Sequence, residues 1–309
     1  MFTKTHMLLL LSYALAMTGC DCRDAPGQDP DPDGGVTTDA GPVEPPWPSL
    51  MAAEGGGLVP PDLDCLGRER APVAGRSVET SSPVVPFGAP PSVTLPGVPA
   101  RFFLEDRASE TCAAPGCVAT LTDDAGVATA MLPDGAWVTT EVPELNGPDP
   151  MRSFMRTLEM HWEVGAEDTI NTLNRGTIAG FEAQLERSLD PARGIAAGRV
   201  LDCQGRALSE ARLRYFAADG AEITDATLVY FDGMLPPGLD PSAEATSSDG
   251  RYAGLDVPPT ATRVEAWGSL DGSAPSPIAC EPLQVEPDTL TVLVLRPTRA
   301  DAPPACARR

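Results

Sequence analysis

The chain has 309 residues, enough for two domains, and its 34 prolines, 29 glycines and 5% aromatics favour short strands and many turns over long helices. A formal net charge of −22, with Lys4 as the only lysine, excludes nucleic acid as a partner, since neutralising phosphates needs clustered Lys and Arg. The same charge disfavours direct docking on an anionic membrane surface.

Lys4 and His6 precede an apolar run from Met7 to Met17 that is too short to span a bilayer and reads as the core of a signal peptide, residues 1–19. It ends in Met17-Thr18-Gly19-Cys20, which resembles a bacterial lipobox, with Met17 standing where Leu is usual. That resemblance implies acylation of Cys20 and an exported protein held on a membrane through its lipid. The expected location is the cell envelope: the periplasmic or surface side of the outer membrane, or the inner membrane, which Asp21 favours in some lineages.

Residues 20–57 are rich in Pro, Gly and Asp, a composition that buries too little apolar surface to offset its ordering entropy, so a disordered acidic tether is expected. Fully extended at ~3.1 Å per residue, it would reach roughly 110 Å. Asp29, Asp31 and Asp33 before Gly34 have the alternation of a calcium loop, but prolines separate them and the twelfth position is Ala40 instead of glutamate. No metal is expected there.

From 58 to 165 a first β-sandwich is read from runs at 92–95, 100–104, 118–122, 127–131, 137–142 and 155–164, divided by turn signals at Asp124-Ala125-Gly126 and Pro133-Asp134-Gly135. Residues 166–193 follow with Asp168 as a cap and apolar side chains at Ile170, Leu173, Ile178, Phe181, Leu185 and Leu189, the stripe of an amphipathic helix that Pro191 stops. A second sandwich, 194–298, is read from seven strands at 198–201, 211–216, 227–231, 243–247, 251–255, 263–267 and 290–295. Residues 299–309 form a C-terminal tail.

The second sandwich contains Gly198-Arg-Val-Leu-Asp-Cys-Gln-Gly205-Arg-Ala-Leu208 and then Asp249-Gly250-Arg251-Tyr252 before a hydrophobic strand. This pattern resembles the carboxypeptidase regulatory-like family, which implies a transthyretin-like sandwich that stabilises, spaces or binds instead of catalysing. An internal repeat supports it: Leu63-Asp64-Cys65-Leu66-Gly67-Arg68 matches Leu201-Asp202-Cys203-Gln204-Gly205-Arg206. The chain as a whole is similar to a group of uncharacterised two-module bacterial lipoproteins, and that likeness brings no activity with it. The expected fold class is therefore mainly β, with two immunoglobulin- or transthyretin-like sandwiches joined by one helix.

Eight cysteines in an exported chain read as a disulfide framework once Cys20 carries lipid. Cys112 and Cys117 would close a small loop, Cys203 and Cys280 would staple the second sandwich, and Cys65 and Cys306 would pair by default, leaving Cys22 in the tether. Several other connectivities are open on sequence alone.

Chemistry is sparse. His161 is the only histidine beyond the signal and lies in a strand-like run without a nucleophile elbow, so no catalytic residue and no cofactor is expected. Trp137, Trp162 and Trp267 would form a ligand-stacking surface if exposed together. The expected function is non-enzymatic: binding, adhesion or structure in the envelope, with a protein or a glycan as partner. A carbohydrate-binding module is the first alternative, and a hydrolase using His161 or a close carboxylate pair the second.

Overall fold

A computed structural model describes residues 47–69, 75–87, 92–104, 108, 111–164, 169–233, 238–299 and 306, with the side chains of 151 and 161–163 left aside. Cys20, Asp21, Cys22, the signal, the acidic repeat at 29–33 and the expected cap Asp168 all lie outside the described residues.

The protein is mainly β and is built around a nine-stranded central sheet. In spatial order its strands are Leu239–Asp240, Thr227–Phe231, Arg251–Val257, Gly194–Val200, Thr289–Leu295, Arg156–Glu163, Trp137–Val142, Pro99–Phe103 and Cys117–Leu121. The first five belong to the C-terminal half of the sequence and the last four to the N-terminal half. They meet where Thr289–Leu295 runs parallel to Arg156–Glu163, with Leu290 opposite Thr157 and Leu293 opposite Met160.

Alternation along these strands sends successive side chains to opposite faces. On one face Phe102, Val138 and Val142 pack under a cover sheet of Val127–Pro133, Ser77–Pro86 and Ile170–Thr172. On the other face Ala196, Tyr252, Leu293 and Leu295 pack under a second cover sheet of Glu222–Ile223, Arg212–Ala217, Ala261–Gly268 and Ser276–Pro282. Two sandwich cores therefore sit on opposite sides of one shared sheet. The remaining face of the C-terminal half, with Ile195, Val229, Phe231 and Leu290, is closed by Ile178, Phe181, Leu185 and Leu189 from the helical segment.

The helix is shorter than its apolar stripe suggests, running Arg175–Gln184 with Asn174 as N-cap, whose carboxamide oxygen accepts from Thr177 N at 2.7 Å. Ile170 and Thr172 lie instead in a strand paired in parallel with Val84–Pro86. The stripe satisfies both periods over these few residues, and the open edge of Ser77–Pro86 captures its beginning.

Residues 47–57, which composition assigns to the tether, are folded. Met51–Glu54 and Gly57–Val59 form a hairpin whose first strand pairs with Leu208–Ser209 of the C-terminal half. Leu50 and Ala52 are fully buried in the core of that half, and Leu50 lies against Gly268, where a Cβ would meet its side chain at 2.5 Å. Apolar burial by Trp47, Leu50 and Ala52 outweighs the glycines that make the stretch look like a linker.

Candidate functional site

The two matching turns of the sequence repeat meet in space. Cys65 and Cys203 form a disulfide with Cα atoms 5.7 Å apart, across a sequence separation of 138. Cys203 N donates to Asp62 O at 2.9 Å, Gln204 Nε2 to Asp62 Oδ2 at 2.9 Å, and Asp62 N to Asp202 Oδ2 at 3.1 Å. Gly67 and Gly205 close the two turns with φ of 74° and 80°, a region that glycine enters without steric cost. The repeat matches Asp64 with Asp202, yet Asp62 is the residue that does what Asp202 does: each accepts from the backbone N–H two positions on.

Asp202 is fully buried and its carboxylate is saturated. Oδ1 accepts from Gln204 N and Arg206 N at 3.0 and 2.9 Å, and Oδ2 accepts from Arg206 Nε at 2.8 Å as well as from Asp62 N. Arg206 reaches on to Glu54 at 2.6 Å. Its guanidinium is held above the usual arginine range, first by the bond to Asp202 and next by Glu54. The backbone N–H of Asp64, followed by the Gln204 amide, holds the Asp62 carboxyl below the usual range.

The expected pairing of Cys203 with Cys280 and Cys65 with Cys306 is replaced. Ala52 opposite Leu208 aligns the entry segment with the 202–206 turn, so Cys65 arrives at Cys203. The tail crosses the edge of Ser276–Pro282, where Thr298 N donates to Ile278 O, and Cys306 bonds Cys280. This cover shields an otherwise open strand edge. Cys112 bonds Cys117, as expected from their spacing.

A second polar constellation lies where the halves join. Glu141 is buried and accepts from Arg156 Nε at 2.6 Å and from Arg101 Nη1 at 3.0 Å. Arg156 also pairs with Glu286, which accepts from Gln284, whose own carboxamide oxygen accepts from Ala108 N at 3.0 Å. Arg175 repeats the device at the helix start, donating to Asp288 at 2.6 Å and to Glu144 at 3.0 Å. Arg156 and Arg175 each bridge a carboxylate from one half of the sequence to one from the other, which neither the repeat nor local spacing signals.

Trp137 and Trp267 lie in different sheets. Trp137 is half-buried in the central sheet, and the register sets Trp162 opposite Val138. Trp267 lies in the second cover sheet, where its indole N–H donates to Glu265 Oε2 at 2.9 Å and the Arg214 guanidinium stacks 4.5 Å from its ring. Arg212 stacks on Trp47 and Arg263 on Phe216 in the same sheet. His161 and Trp162 have side chains outside the description. Among the described residues no group of three or more His, Cys, Asp or Glu is placed to hold a metal ion.

Below these sites three tyrosines fix the core of the C-terminal half. Tyr215 is buried and donates to Ala196 O at 3.1 Å, while Tyr230 Oη accepts from Leu213 N at 3.1 Å. Burial pushes the phenols of Tyr215, Tyr230 and Tyr252 upward, so all three stay neutral. No helix among the described residues is long and apolar enough to cross a membrane.

No protein-family model and no curated protein matches the chain. Solved structures give distant matches. The Bacillus anthracis TIE protein aligns over 72% of this chain and 34% of its own at 12% identity and a TM-score of 0.22, so this chain spans about a third of that one. The shaft pilin SpaA from Lactobacillus rhamnosus GG aligns over 72% and 98% at 11% identity and a TM-score of 0.22. GBS52, the minor pilin of Streptococcus agalactiae, aligns over 74% and 100% at 9% identity and a TM-score of 0.20. Likeness at this level carries no statement about activity or partners.

Proposed function

We propose that the chain is a lipid-anchored protein of the bacterial cell envelope, non-enzymatic, serving as a structural or adhesive display module. Cys20, following Met17-Thr18-Gly19, is the acylated residue, and the acidic stretch up to residue 46 is the spacer between lipid and folded body. The carboxypeptidase regulatory-like label belongs to the C-terminal half, on the Asp202 to Gly205 turn and the Asp249-Gly250-Arg251-Tyr252 run. The partner is another envelope or surface protein or a glycan.

The observation that carries this reading is the fastening of both ends of the body to one half. The entry segment is bonded through Cys65–Cys203 and the tail through Cys280–Cys306. Disulfides of this kind belong to an exported protein, and buried charges engaged between halves give a rigid body. The test is metabolic labelling with a clickable fatty acid in a bacterium expressing the full chain. The native protein is expected to take the label and sediment with membranes, and Cys20→Ser to lose both. Undiminished labelling of Cys20→Ser would refute the anchor.

A further inference from the structure

The disulfide topology determines which part of the chain can carry tension. Cys65–Cys203 closes a covalent loop holding everything between those positions, which includes the whole cover sheet Val127–Pro133, Ser77–Pro86 and Ile170–Thr172, the helix Arg175–Gln184 and five strands of the central sheet, the fifth being Gly194–Val200 of the C-terminal half. A pull that enters from the N-terminal side reaches Cys65 after the entry hairpin and crosses the sulfur bridge directly to Cys203. Cys280–Cys306 closes a second, smaller loop in the same way.

We infer that the protein transmits force through its entry hairpin and residues 203–280, while residues 66–202, the N-terminal half together with strand Gly194–Val200, ride as a covalently shielded side loop. When the load is taken up by the C-terminal half or the tail, residues 66–202 stay out of the force path whatever the strength of their non-covalent contacts. The arrangement is directional: the bridge sits at the entry side, so the half farther along the sequence is the half in line with the tether. Assigning the fixed end to the membrane rests on the lipid anchor proposed above, but the shielding does not.

The contacts around the bridge suit this role. Ala52 opposite Leu208, Asp62 N on Asp202, and Arg206 between Asp202 and Glu54 all join the entry segment to the C-terminal half. They load before the disulfide does and act together, because the hairpin strand and the 202–206 turn lie side by side. The entry segment makes these bonds with the C-terminal half although the N-terminal half follows it in sequence.

The test is single-molecule pulling on the full mature chain, with handles at its two ends and the disulfides formed. About 100 folded residues then lie outside both loops and release ~350 Å of contour at roughly 3.5 Å per residue. Adding a reductant while the C-terminal half is held extended is expected to release a further step of ~480 Å from the larger loop, since the separation is 138 residues. This second arm needs no variant that has to fold. Release of ~900 Å in the unreduced chain would overturn the inference, because all the residues would then be in the force path. A total of only ~80 Å would overturn it too, since that is the signature of a Cys65–Cys306 bridge that shields nearly everything. Both readings are independent of whether Cys20 carries lipid.

Discussion

Replacing Glu141 by Gln removes one charge from the junction while keeping the shape of the side chain. The carboxylate is buried, with a side-chain exposure of 4%, and it accepts from Arg156 Nε at 2.6 Å and Arg101 Nη1 at 3.0 Å. A hydrogen bond to a charged group contributes about 1.5–3 kcal/mol, and breaking a buried pair by removing one partner costs roughly 3–5 kcal/mol. Two features reduce this. Arg101 is 37% exposed and can turn to water, so its share is small, and Arg156 keeps Glu286. The expected loss is therefore about 3 kcal/mol, at the lower end of the range. Urea unfolding of native, Glu141→Gln, Arg156→Gln and the double variant measures it, and the double variant is expected to fall short of additivity by ~1 kcal/mol or more. A cost under about 1 kcal/mol, or strict additivity, would show that Glu141 and Arg156 do not act as a coupled buried pair.

Three further outcomes follow from other sites. In the chain-entropy account, removing the 138-residue crosslink with Cys65→Ser/Cys203→Ser costs up to ~5 kcal/mol, against ~2 kcal/mol for Cys112→Ser/Cys117→Ser, whose separation is 5; equal shifts of the urea midpoint would contradict that ranking. Gly254→Ala would place a Cβ 2.4 Å from Tyr215 Oη and 2.7 Å from the ring, costing about 3 kcal/mol from overpacking and a lost hydrogen bond. Tyr215→Phe should relieve part of that cost in thermal melts, and no relief would mean the clash lies elsewhere. The Asp62 carboxyl is lowered in the folded state, so its contribution is complete above the ordinary carboxylate range and is lost as pH falls through the lowered folded value. Stability measured across that acid window should fall less in Asp62→Asn than in the native protein, and parallel curves would remove Asp62 from the account.

Strands with an apolar alternation were legible from the sequence: Thr227–Phe231, Arg251–Val257, Ala261–Gly268 and Thr289–Leu295 all lie where residue types place extended runs. Ser77–Pro86 was not legible, because its first six residues are mostly polar and it contains Pro83 and Pro86, although it is the longest strand present among the described residues. Ser276–Pro282 was hidden in the same way by its prolines. The hairpin at 51–59 reads as linker from Gly55, Gly56 and Gly57, and only its pairing with Leu208 reveals it as structure. Runs at 92–95 and 243–247 carry strand-forming residues but end in turns and bends, since Gly126 accepts Thr94 against it and Thr246 is used to bond Leu208 and Ala211.

The site divides similarly. All six framework cysteines were identifiable from number and compartment, while their partners depended on which strand edge each segment lies along. Repeated Asp-Cys turns marked the place of the bridge without revealing that the turns face each other. Arg156 and Glu141 are fifteen positions apart and Glu286 is 130 beyond Arg156, so no local pattern could link them. Glu141 meets Arg156 because Trp137–Val142 pairs with Arg156–Glu163, and Glu286 meets it because Thr289–Leu295 pairs with the same strand from the other side.

The measurement that bears most directly on the central claim is peptide mapping of the unreduced mature protein by mass spectrometry. One crosslinked peptide pair containing Cys65 and Cys203 is expected, and another containing Cys280 and Cys306. Recovery of Cys203 joined to Cys280, with Cys65 joined to Cys306, would contradict it.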